Sequence, residues 1–177
     1  MPKRHIFFFL GAFIIFVSSV TFSQTAKKDI DWKPWHFIIG EWIGEGAGTP
    51  GQGTGSFSFD FDLQKRVLIR KSVANFPATK NKPAYSHNDL TVIYKEPSNS
   101  TEAIYFDNEG YVIKYSVNFS DDQNSIIFVS IPEPNEPIYR MTYIKVSNQK
   151  LNLKFEIAQP GAPSSFSTYL EANAHRK

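Results

Sequence analysis

The sequence predicts an all-β protein, a single antiparallel up-and-down β-barrel of about ten strands. Short stretches of alternating apolar and polar residues recur through most of the chain, each closed by Gly, Pro, Asn or Asp. That is the pattern of half-buried strands joined by turns. Sixteen phenylalanines and eight tyrosines against two methionines favour strands over a helix bundle. Nearly every connection is of hairpin length, which leaves no room for Greek-key crossings and favours up-and-down closure.

The elements follow in order. Lys3 and Arg4 precede an uncharged apolar run from Ile6 to Val20, with Thr21 and Ser23 after it. This is the three-part layout of a secretory signal peptide over residues 1–23, cleaved after Ser23. The rival is an uncleaved N-terminal anchor, for which the apolar run is slightly short. Export implies a secreted or periplasmic protein. Residues 24–36 form an N-terminal segment, polar up to Asp31 and then Trp32-Lys33-Pro34-Trp35-His36. Pro34 and the short length predict a single plug-like turn closing one end of the barrel. The barrel domain is expected over residues 37–174.

Gly40–Ala47 reads as the first strand and Thr54–Leu63 as the second, where Phe57, Phe59 and Phe61 alternate with Ser56, Ser58, Asp60 and Asp62. Val67–Ala74 is the third. A polar loop from Pro77 to about His87 leads to the fourth, Leu90–Lys95, and Glu102–Phe106 is the fifth. Asp107-Asn108-Glu109-Gly110 is a hairpin turn with glycine at the left-handed position. Tyr111–Phe119, Ser125–Ile131 and Ile138–Val146 follow, the last after a Pro132–Pro137 loop. Leu151, Leu153, Phe155 and Ile157 alternate through the ninth strand, and Phe166–Ala172 is the tenth. The polar sets Ser56/Asp60/Asp62 and Lys154/Glu156 make one face of these strands wet, which disfavours a membrane barrel.

Seven of the ten glycines lie between Gly40 and Gly55. Gly46 to Gly51 matches G-x-G-x-x-G, but a dinucleotide site needs a helix next, and here a strand of alternating phenylalanines follows. The glycines read instead as a barrel corner. Gly40-Glu41-Trp42 is a G-x-W motif and resembles that of lipocalins and related calycin barrels. The longer Gly40-x-Trp42-x-Gly44-x-Gly46 resembles the opening of nitrobindin-like haem-binding barrels. The resemblance covers about residues 37–173. It implies a ten-stranded barrel closed at one end by Trp42, with Gly40 and Gly44 beside it, and a ligand at the open end. In nitrobindin-like proteins a histidine close to the C-terminus holds the haem iron. The counterpart here is His175, expected beyond the tenth strand, and the residues themselves call for no cofactor.

Composition narrows the chemistry. Without Lys3 and Arg4, nineteen basic residues become seventeen, against seventeen acidic ones. A neutral mature chain offers no electrostatic case for nucleic acid or an anionic membrane surface. The absence of cysteine removes disulfides, thiol nucleophiles and thiolate metal sites. His36, His87 and His175 do not stand at metal-ligand spacing, and His87-Asn88-Asp89 reads as a cluster at a loop edge. No G-x-S-x-G elbow occurs.

Arg70 and Arg140 are more informative, since both sit mid-strand among apolar neighbours with their facing undecided by alternation. An inward arginine must pair with a ligand carboxylate, a protein acid or a packed tryptophan. Tyr94, Tyr115 and Tyr143 are mid-strand aromatics with a polar tip, suited to core or cavity wall. The expected ligand-binding set is therefore Arg70, Tyr94, Tyr115, Arg140 and Tyr143. The expected protein is an exported barrel that binds a small apolar or amphipathic ligand without catalysis. It would be a monomer or weak dimer, with no nucleic-acid partner and no membrane span after signal cleavage. The alternatives are a haem barrel, a hydrolase or isomerase using His87 with Asp89 or a mid-strand arginine, and an interaction module with a filled core.

Overall fold

The computed structural model describes residues 29–45 and 54–177. The predicted signal peptide and the glycine-rich run from Gly46 to Gly53 lie outside the described residues. Ten strands form: β1 Gly40–Glu45, β2 Thr54–Asp62, β3 Val67–Phe76, β4 Tyr85–Lys95, β5 Thr101–Asp107, β6 Val112–Phe119, β7 Ser125–Ser130, β8 Ile138–Lys145, β9 Lys150–Ala158 and β10 Phe166–Arg176. Each pairs antiparallel with the next, and β1 closes the ring against β10, with Trp42 opposite Arg176. The result is a closed ten-stranded up-and-down barrel with no α-helix among the described residues.

Two boundaries differ from the sequence-based expectation. β4 starts at Tyr85 rather than Leu90, because β3 and β4 stay paired out to Phe76 opposite Tyr85. Those two rings stack at 4.6 Å and hold the end of the ladder. His87 and Asp89, expected at a loop edge, therefore lie within a strand. β10 continues past Ala172 to Arg176, since it is paired on both sides: His175 stands opposite Ile43 on β1 and Lys150 on β9. His175 is thus inside the strand and not beyond it.

Three tryptophans close one end. A single 3-10 turn spans Lys33–Trp35, with Pro34 in its first turn, where a missing N–H is harmless. Trp35 is fully buried and meets Phe119 and Phe128 edge-on at 5.4 and 6.1 Å. Trp32 donates its indole N–H to the Lys65 carbonyl in the β2–β3 turn, 2.8 Å away. Trp42, on β1, donates to the Ile38 carbonyl at 2.7 Å and stacks on Phe57 at 6.4 Å. The Arg176 guanidinium lies 4.4 Å over the Trp42 ring and donates to the Phe37 and Ile39 carbonyls at 2.9 and 2.5 Å. The end of β10 is thereby tied to β1 and to the segment that leads into it. Gly40 makes this approach workable: its φ is +110°, and a Cβ there would stand 2.9 Å from the Arg176 guanidinium.

Above this plug the inward positions fill one half of the barrel with hydrocarbon. Phe59, Leu68, Ile93, Ile126 and Leu151 are all fully buried. Burial of each such side chain stabilises the fold by about 1.5–3 kcal/mol relative to exposure. The other half is lined very differently.

Candidate functional site

The period-2 alternation of a strand decides what happens one rung further up. On β3 the step inward from Leu68 is Arg70, on β4 Ile93 gives way to Thr91 and Asp89, and on β5 Ala103 gives way to Tyr105. These residues, with Tyr115, Phe128 and Tyr143, form the floor and lower wall of a cavity of about 650 Å³ at the end opposite the tryptophan plug. The wall has two sides. Strands β3 to β5 supply Arg70, Ser72, His87, Asp89, Tyr105 and Asp107, whereas β6 to β10 supply Ile113, Met141, Phe155, Ile157 and Leu170.

Arg70 and Asp89 form an ion pair on the floor, each side chain at least nine-tenths buried. Burial alone pushes the guanidinium down, but Tyr143, Asp89 and Tyr105 outweigh it and hold Arg70 above its ordinary value. The Arg70 guanidinium also lies 5.7 Å over the Phe57 ring and 5.9 Å over the Tyr143 ring. The inward arginine is thus paired with a protein acid and framed by two rings. Burial, reinforced by Asp89, pushes the hydroxyls of Tyr143 and Tyr105 up, with Arg70 working against it. Burial likewise raises Tyr115. All three therefore act as neutral hydroxyls at ordinary pH.

A second chain of polar contacts climbs toward the mouth. The Tyr105 hydroxyl donates to Asp107 Oδ2 at 3.0 Å. His87 Nε2 lies 3.0 Å from that hydroxyl, and its Nδ1 lies 3.0 Å from Glu109 Oε1. His87 thereby bridges Glu109 and Tyr105 at the edge of the cavity. Burial works to raise the Asp107 carboxyl. The Tyr111 N–H, the Tyr105 hydroxyl, the Glu109 N–H and nearby His87 outweigh it, so Asp107 sits below its ordinary value.

Of the five positions expected to bind ligand, Arg70, Tyr115 and Tyr143 line this cavity together. Tyr94 and Arg140 do not. Tyr94 alternates with the fully buried Ile93 and faces outward, donating to Glu102 Oε2 at 3.2 Å. Arg140 lies between the cavity-lining Tyr139 and Met141 and therefore points out, 2.6 Å from Glu156 Oε2 and 3.9 Å over the Phe166 ring. Lys154 reaches the other Glu156 oxygen at 2.9 Å.

This outer trio has a consequence for pH. The Arg140 hydrogen bond, with help from Lys154 and against burial, holds Glu156 down to about 2 from an ordinary 4.5. Its folded-state value is depressed, so its stabilisation is complete above about 4.5 and disappears as the pH falls toward 2. Urea titrations across this range should show the stability gap between the parent and Glu156→Gln closing as the pH drops. A gap that stays constant would mean that the trio contributes nothing through ionisation.

The histidine that a haem would use faces away from the cavity. His175 is half-exposed on the outer surface, with Nδ1 3.1 Å from Glu45 Oε1, while its neighbours Ala172 and Ala174 point inward or are buried. Inside, both nitrogens of His87 are engaged by Glu109 and Tyr105. These residues do not fit a haem iron. Among the described residues, no group of three or more His, Asp or Glu is placed to hold a metal ion. His87, Asp89, Tyr105, Asp107 and Glu109 are the site residues absent from the expected binding set. For His87 and Asp89 the signal was present as an inward alternation running back from Thr91 through Asp89 and His87 to Tyr85, whereas Tyr105 and Asp107 lie on β5 and Glu109 on the turn after it. No protein-family model matches this chain, and comparison with curated proteins finds no match.

Proposed function

We propose that this chain is an exported calycin-like barrel, secreted or periplasmic, that binds a small apolar or amphipathic molecule without transforming it. One observation carries the reading. The barrel interior is only half filled, and the unfilled half is a cavity of about 650 Å³ walled by aromatic rings with a few convergent polar groups, within the size range of small-molecule sites. The basic-then-apolar N-terminus supports export, and the balanced charge of the mature chain supports a ligand other than nucleic acid. Trp42 in its G-x-W, packed at the closed end, supports the calycin comparison. The chain is expected to act as a monomer or weak dimer.

Filling the cavity tests this. Ala74 and Ala172 line it from opposite sides of β1 and β2. Ala74→Phe with Ala172→Phe should weaken binding of an apolar fluorescent probe by at least about tenfold, equivalent to 1.4 kcal/mol. Equal probe binding by parent and filled variant would refute cavity binding.

One observation favours a second reading, a hydrolase or isomerase: His87, Asp89 and Tyr105 converge inside the cavity rather than on a loop. The two readings differ in the fate of the bound compound. Mass spectrometry of a compound recovered after long incubation should find it unchanged if the barrel only binds, and altered if the His87 group is catalytic.

A further inference from the structure

We infer that the cavity selects an organic cation, an ammonium or amidinium head on an apolar body, and discriminates against carboxylates. The inference rests on the ligand-binding reading and names the chemistry of its ligand. Apart from its tyrosines, five charged or titratable side chains line the cavity among the described residues: Arg70, His87, Asp89, Asp107 and Glu109. Three carboxylates thus face two basic groups even when His87 is protonated. An incoming carboxylate finds both basic groups already paired with acids, Arg70 with Asp89 and His87 with Glu109, and the Arg70 Nε–H, which has no acceptor, is fully enclosed. It also meets Asp107, which its hydrogen bonds keep ionised, and the half-exposed Glu109 at the mouth. Like charges in a cavity walled by low-dielectric groups repel more strongly than in water.

A cation meets the reverse. Asp107 and Glu109 sit on the β5–β6 side of the mouth, and rings surround them: Tyr85 and Tyr111 beside the acids, Tyr139 and Phe155 across the opening. Tyr85 is stacked on Phe76 and Tyr139 on Phe155, so these faces are held in place without the ligand. Ring faces attract cations, most strongly where the cation sheds water. The Met141, Ile157 and Leu170 side of the wall then receives the apolar body. Acids thus line the β5–β6 side of one cavity, and ring faces and hydrocarbon line its β8–β10 side, the two parts that an amphipathic amine presents.

Calorimetric titration of the folded chain with decyltrimethylammonium, decanol and decanoate, below their micellar concentrations, tests this. The three probes share one tail. The ammonium should bind about tenfold or more tighter than decanol, and decanoate more weakly than decanol, a tenfold step being 1.4 kcal/mol. Glu109→Gln, a change on an exposed turn that does not threaten folding, should shrink the ammonium-to-decanol ratio several-fold. Asp107→Asn should shrink it further. Decanoate binding as tightly as the ammonium, or a ratio unmoved by both variants, would overturn the cation preference while leaving the binding barrel intact. Failure of all three probes to bind would overturn the ligand-binding reading itself.

Discussion

Asp89→Leu is expected to destabilise the barrel by about 3–5 kcal/mol, the effect of stranding a buried charge without its partner. The substitution leaves the Arg70 guanidinium on the cavity floor, nine-tenths buried, with its carboxylate removed. The rings of Phe57 and Tyr143 would remain beside it, but cation–π contacts of about 0.5–2 kcal/mol do not replace a buried ion pair. Removing both charges should be far milder. Arg70→Met with Asp89→Leu keeps volume in the floor and eliminates the stranded ion, so most of the loss should be recovered. Equilibrium urea unfolding of the parent, both single variants and the double variant completes the cycle. Additive losses would mean that the two groups do not interact, and that the floor of the cavity is organised by something else.

Trp35→Ala should cost about 3–5 kcal/mol, the range for deleting a large buried aromatic. Trp35 is wholly enclosed by the barrel end and packs edge-on against Phe119 and Phe128, so its removal leaves a hole bounded by rigid strands. Trp35→Phe makes a sharper comparison. The Trp35 indole N–H has no acceptor in the protein, so phenylalanine gives up ring contacts but no hydrogen bond. Trp42→Phe, by contrast, abandons the Ile38 carbonyl, and the buried acceptor then goes without its donor. Thermal unfolding should therefore rank Trp35→Phe as the mildest of the three changes. A Trp35→Ala protein as stable as the parent would show that the tryptophan turn is an ornament on a barrel that closes without it.

The barrel was legible because its evidence is periodic. Phe57, Phe59 and Phe61 alternate with serines and aspartates, and Leu151 to Ile157 does the same, so the buried face announces itself wherever the inward residues are apolar. The same signal fails where the inward residues are polar. In β4 the inward set is Tyr85, His87, Asp89 and Thr91, which on composition reads as loop, so the sequence pattern places the start of the strand at Leu90, five residues late. The site was hidden in the stretch where the hydrophobic pattern breaks down, because there the inner face of β4 carries polar groups. Arg70 and Arg140 illustrate the remaining ambiguity. Arg70 follows Leu68-Ile69 and Arg140 stands between Tyr139 and Met141, and the register, Arg70 opposite Thr91 and Arg140 opposite Glu156, shows that one faces the cavity and the other the outside. Glu109 illustrates another: the hairpin turn was readable, but its return to His87 across 22 residues was not.

The most direct test of a half-filled barrel built to hold a small molecule is native mass spectrometry of the chain purified from its host without organic solvent. The expected result is one small organic molecule per chain, released on unfolding and missing from the Ala74→Phe, Ala172→Phe variant. The contradicting result is a spectrum of the bare chain alone from a preparation that also fails to take up decyltrimethylammonium, decanol or decanoate.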